Sequence, residues 1–170
     1  MDTLQWCKLK MGAYCNYNND TNLAKTYGRL YNFYTVADPR NLCPVNWHVP
    51  SDADWNILGK YLDKTLDTTL VMDYKNTIGG KLKETGAKHW LGPNKSATNS
   101  SGFNALPGGF RNCNEIADFR NIGYEGFWWT SSIDRVRIWI YNRELSWEDS
   151  NITRSSSNYN YGESVRCVKD

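Results

Sequence analysis

The stretch "YGRLYNFYTVADPRNLCPVNWHVPSDADWNIL", residues 27–58, decides how the rest of the chain is read. Its end, continued as "PSDADWNILGKYL", carries the signature of a helix beginning after Pro50. Ser51 is a natural N-cap, Asp52 and Asp54 suit the positive end of the helix dipole, and Trp55, Leu58 and Leu62 recur on one face. His48 stands just ahead of the cap, where hydrogen bonding at the helix entrance is its expected role rather than catalysis.

Downstream, "IGGKLKET" predicts a second helix over about residues 78–85, ended by Gly86 and weakened at its start by the glycine pair. Residues 94–114 are rich in Gly, Asn, Ser and Pro, so long loops with at most one short strand are expected there. "GFWWTSS", residues 126–132, reads as a buried strand. In "VRIWIYN" the apolar Val136, Ile138 and Ile140 alternate with Arg137, Trp139 and Tyr141, the period-two pattern of a half-buried strand. Leu145 and Trp147 fall on the other parity, which predicts a bulge or turn near Arg143. Two helices followed by short strands and long loops make a small α+β domain.

A chain of 170 residues is one ordinary domain. Its 20 basic and 18 acidic residues include no basic block, which argues against a nucleic-acid partner. No apolar run approaches the ~20 residues of a membrane-spanning helix, and "MDTLQWCKLK" lacks a signal-peptide apolar region. Eight Trp and 11 Tyr against five Phe give large apolar area with polar handles, a composition suited to recognition. Five cysteines without a C-x-x-C pair argue against a zinc ribbon or thioredoxin-type site, and an odd count leaves at least one thiol free in a monomer, with one or two disulfides or none both allowed.

Residues 27–58, together with "GGKLKETG", "ATNSSGFNALPGGFRN", "GFWWTSS" and the terminal "SVRCVKD", closely resemble the Fibrobacter succinogenes major paralogous domain family. The resemblance runs from about Gly12 onward. Members usually carry further residues before "GAYC", where eleven stand here, so the N-terminal edge is expected to be trimmed or replaced. The resemblance implies a C-type-lectin-like fold, found in bacterial surface, secreted and phage proteins, with the short terminal strand pairing back near the N-terminus. It also implies that Cys43 lies close to Cys167. The expected framework is Trp47, Trp55, Leu58, Phe103, Leu106, Phe110, Trp128, Trp129, Val165 and Val168.

In that fold the strands and loops before the terminal strand form an exposed binding face, here residues 131–161. Ser, Asn, Tyr and Trp supply 16 of these 31 residues, close to the mixture in antibody paratopes. The expected contact residues are Trp139, Tyr141, Asn142, Glu144, Trp147, Glu148, Asp149, Asn158, Tyr159 and Tyr161, for a glycan or protein ligand at a cell or virion surface. The bland alternative is a solvated polar loop. Some variable proteins of diversity-generating retroelements resemble this family, so adenine-directed diversification of residues 133–163 and ordinary loop divergence both stay open.

Catalytic chemistry finds little support. No G-x-S-x-G, H-E-x-x-H or P-loop sequence occurs, and His89 in "KHW" reads as a surface residue. "WED" at residues 147–149 partly echoes the W-N-D of calcium-dependent lectins, but the E-P-N partner is missing, so no metal or other cofactor is expected. Formylglycine-generating oxidases share a related fold and use a copper-binding cysteine pair. Cys113 and Cys167 lie too far apart in sequence to suggest one. The reading is a non-catalytic ligand-binding module, with a structural spacer or, less well supported, an oxidase relative as alternatives.

Overall fold

A computed structural model describes residues 3–71, 76–114, 118–134 and 138–170. The order is α1 (Thr3–Cys7), β1 (Tyr14–Cys15), a 3-10 turn (Tyr17–Asn19), α2 (Thr21–Tyr27), β2 (Leu30–Tyr31), α3 (Phe33–Val36), β3 (Trp47–His48) and α4 (Asp52–Leu62). Then come α5 (Ile78–Leu82), β4 (Gly108–Arg111), β5 (Phe119–Ile122), β6 (Glu125–Asp134), β7 (Trp139–Ser146), β8 (Thr153–Ser157) and β9 (Val168–Lys169). The class is α+β, and the main sheet is mixed, in the order β5-β4-β6-β7-β8. Only β4 and β6 run parallel within it.

The helix predicted from Ser51 forms as α4. The Ser51 hydroxyl accepts the Asp54 N–H at 3.2 Å while the Asp54 carboxylate accepts the Ser51 N–H at 2.8 Å, a reciprocal cap that satisfies two end groups. Trp55 is buried beneath it with Ile78, Leu82, Trp90, Trp128 and Leu145, and Leu58 and Leu62 pack at the margin. The second helix stops at Leu82, shorter than the expected 78–85. Its glycines serve a close approach: a Cβ on Gly79 would stand 1.9 Å from the Asn151 carbonyl oxygen, and one on Gly80 2.4 Å from that of Ser96.

β6 buries Phe127, Trp128, Trp129 and Thr130 in succession, as "GFWWTSS" predicts. The parity change along β7 has a different cause from the expected bulge. β7 pairs without interruption with β8 from Ile140 to Glu144 and with β6 from Asn142 to Ser146. Ile140 packs on one side with Phe33 and Trp129, while Leu145 packs on the other with Trp55 and Leu82. The face of Trp139 and Tyr141 is open at the start of β7 but becomes covered at Arg143 and Leu145, so the apolar parity changes without a bulge. The register shift lies in β6, between Trp129 and Ile133. Ile138 is a turn residue with φ 59° and is exposed, so it does not share the inward face of Ile140, and Val136 falls outside the described residues.

Cys43 and Cys167 form a disulfide with Cα atoms 5.8 Å apart, and Cys7 joins Cys113. Cys15 is free and buried. The first bridge ties the segment before α4 to β9, which pairs antiparallel with β3. Glu163 bridges back to Tyr31 in the N-terminal third. Of the expected framework, Trp47 is instead 39% exposed, because two-residue β3 has only β9 beside it. Leu106, Phe110, Val165 and Val168 are half-buried. Among the described residues no helix is long and apolar enough to cross a membrane.

Candidate ligand-binding face

At ~3.3 Å per residue, the run from Trp139 along β7 to Trp147 just beyond it spans about 26 Å, so the ten expected contact residues cannot form one patch. The structure distributes them over three places. At the hairpin joining β6 to β7, Trp139 is 48% exposed beside Ile138 at 67% and Ile133 at 43%. Tyr141 follows on the same side as Trp139, with the Arg154 guanidinium 4.2 Å from its ring centroid. Arg154 is fixed from below: its Nε and Nη2 donate to the two carboxylate oxygens of Asp52, each at 2.8 Å. Arg143, almost fully buried, donates to the same carboxylate at 2.9 Å and to the Asn56 side chain at 2.9 Å. Burial works to raise the Asp52 carboxyl, but its hydrogen bond from Arg154 and the charge of Arg143 prevail and hold it below the usual carboxylate range.

The second place is the loop after β7. Trp147 is half-buried, packs at the core margin and meets Tyr124 edge-on at 5.6 Å. Glu148 is exposed. The Asp149 carbonyl accepts from the Lys83 ammonium at 2.6 Å, and that of Ser146 accepts at 2.8 Å. Burial lowers Lys83 to about 8, and its ammonium also lies 5.4 Å from the Trp90 ring centroid. The "WED" loop thus wraps a lysine. Among the described residues, no group of three His, Cys, Asp or Glu could hold a metal ion.

The third place is the turn after β8. Asn158 is exposed, but Tyr159 packs edge-on against Phe33 at 5.3 Å and Tyr161 stacks on Phe110 at 5.8 Å. Both tyrosines therefore brace the fold.

Asn142 requires a correction. It is 1% exposed, because its position on β7 faces Glu163 rather than solvent. Its amide donates to the Ser157 hydroxyl at 2.9 Å and to the Glu163 carboxylate at 2.9 and 3.1 Å. Burial pushes fully buried Glu163 up to about 8 against those hydrogen bonds. Glu144 on the same side is pushed up to about 7, by burial and then by the charges of Glu125 and Asp149.

Among groups with chemical potential, His48 bonds Asp170 at 2.6 Å and Asp54 at 3.3 Å, the helix-entrance role expected of it. His89 is half-buried rather than superficial, bonded to Glu84 at 2.8 Å and edge-on to Tyr27. Sequence reasoning missed Asp52, Arg143 and Arg154 as a unit, since 91 residues and more separate the partners. It also missed Ile138, whose alternation with Ile140 signalled the buried side of a strand, and Ile133, which lies in the expected face 131–161 but not among the named contacts.

Comparison with known proteins places a family match on this geometry. The Fibrobacter succinogenes major domain matches residues 1–169. Neither a curated protein nor a solved structure matches the chain significantly.

Proposed function

The chain belongs to the Fibrobacter succinogenes major domain family, and from that premise we propose that it is a non-catalytic ligand-binding module of C-type-lectin-like fold, displayed on a cell or virion surface. The carrying observation is the hairpin end of β6 and β7, where Ile133, Ile138 and Trp139 present large exposed side chains next to Tyr141 and the anchored Arg154. Exposed apolar residues gathered beside a fixed polar group suit a recognition face better than a solvated loop. Trp139 and Tyr141 remain the contacts from the sequence-predicted set, joined by Ile138 and Arg154. Glu148, Asp149 and Asn158 are peripheral.

A non-catalytic role is part of this proposal, and the reactive side chains are all engaged within the fold. Both histidines hold carboxylates, four cysteines are in disulfides, and the fifth is buried. Codon diversification of residues 133–163 fits this reading only at positions whose side chains leave the fold intact. Asn142 and Asn151, both buried, would then belong to the fixed frame.

The test is a glycan and protein array probed with the purified domain and with Trp139→Ala. Saturable capture of one ligand class, lost in the variant, supports the reading. Silence across both arrays, with the domain folded, leaves the spacer role in its place.

A further inference from the structure

A cavity of about 440 Å³ opens between the end of α2, the loop before β4 and the segment ahead of β9. It falls within the ~300–1,000 Å³ range of small-molecule sites. Among the described residues lining it none is acidic, whereas Arg29 and Arg166 both border it. Neither arginine forms an ion pair among the described residues. Glu84, whose charge acts on Tyr27 of the wall, is engaged by His89 at 2.8 Å.

Both guanidiniums rest on aromatic rings, contacts that leave donors over. Arg166 lies 4.7 Å from the Phe103 ring centroid and gives one N–H to the Phe103 carbonyl at 3.0 Å. Arg29 lies 4.4 Å from the Tyr14 ring centroid, and Tyr14 packs on Tyr31 of the wall. A guanidinium presents five donors in a planar fork that matches a carboxylate. Holding the fork before binding reduces the entropy lost on capture. Tyr27 and Tyr31 add ring faces and hydroxyls, and Ser164 and Asn104 add further polar groups.

We propose that this cavity is a second binding site, for a carboxylate-bearing sugar unit of monosaccharide size. Arg166 meets the carboxylate, the tyrosine rings meet the apolar face of the sugar, and the wall hydroxyls meet its hydroxyl groups. The site shares no residue with the hairpin face, so either can fail without the other.

The probe is sodium D-glucuronate, with D-glucose as its neutral counterpart, titrated into the isotopically labelled domain and followed by amide chemical shifts. The expected result is saturable movement of Gly28, Asn104, Ser164 and Val165, at least tenfold weaker binding of glucose, and at least tenfold loss in Arg166→Ala. Arg29→Ala serves as an independent variant, expected to lose affinity with an unchanged amide fingerprint. Equal response to both sugars, no saturable shift with glucuronate, or undiminished affinity in both folded variants overturns the assignment.

Discussion

Asp52 and Arg154, 102 residues apart, meet through two hydrogen bonds of 2.8 Å, and this pair links the first turn of α4 to β8. The same carboxylate is the only charged partner of buried Arg143 among the described residues. Removing one member of a buried pair strands the other, which costs about 3–5 kcal/mol. Asp52→Ala is therefore expected to lose stability on that scale in urea unfolding. Arg154→Ala should cost less, because Arg143 keeps its partner. Equal losses from the two would contradict this arrangement.

Stability should fall as pH rises from about 4.5 to about 8. Glu163 is raised to about 8 by burial, against 4.5 for the ordinary group. Between those values the folded state keeps a proton that the unfolded chain has released, so stability declines as pH rises through this window and levels off above about 8, at up to ~1.4 kcal/mol per pH unit. Glu144, raised to about 7, adds to the decline in the lower part of the window. Glu163→Gln removes the larger contribution, and its stability curve from pH 5 to 9 should be flatter than that of the natural protein.

Aromatic substitutions should sort by packing rather than by position in the polar C-terminal segment. Trp129 is fully buried and donates its indole N–H to the Tyr31 carbonyl at 2.7 Å, so Trp129→Ala should cost about 3–5 kcal/mol. Tyr159→Ala and Trp147→Ala should each cost about 1–3 kcal/mol, since their rings pack on Phe33 and Tyr124. Trp139→Ala should stay within about 0.5 kcal/mol. Thermal melts of the four variants check the ranking.

Peptide mapping without reduction should recover Cys43 joined to Cys167 and Cys7 joined to Cys113 from oxidised protein. Cys15 should react with an alkylating agent only after unfolding, because it is 8% exposed and burial raises its thiol against the opposing influence of Arg111. Rapid labelling of Cys15 in the native protein would place it elsewhere.

Much of the fold could be read along the chain because its signals are local. Ser51, Asp54 and Trp55 declare α4 within five residues, and "GFWWTSS" declares β6. Parity misled at Leu145 and Ile138 because alternation cannot distinguish a strand whose open face becomes covered partway along from one that bends, or a strand residue from a turn residue with φ 59°. Lys83 gave no sign of burial in "GGKLKETG", since its partners are backbone carbonyls of Ser146 and Asp149 that carry no mark in sequence. Asn142 looked like a contact residue for a different reason: its role depends on Glu163, 21 residues away and brought close by Tyr31 pairing across the fold. Exposure of Trp139 was legible from the alternation, whereas the brace beneath Tyr141 was not.

The most direct measurement is the affinity of an array-selected ligand for the domain and for Trp139→Ala, Ile138→Ser and Tyr159→Ala, each paired with its melting temperature. The account predicts at least tenfold weaker binding for the first two with melting unchanged, and lower melting with largely retained affinity for the third. Full affinity in both hairpin variants, with binding lost only where the fold is weakened, would contradict it.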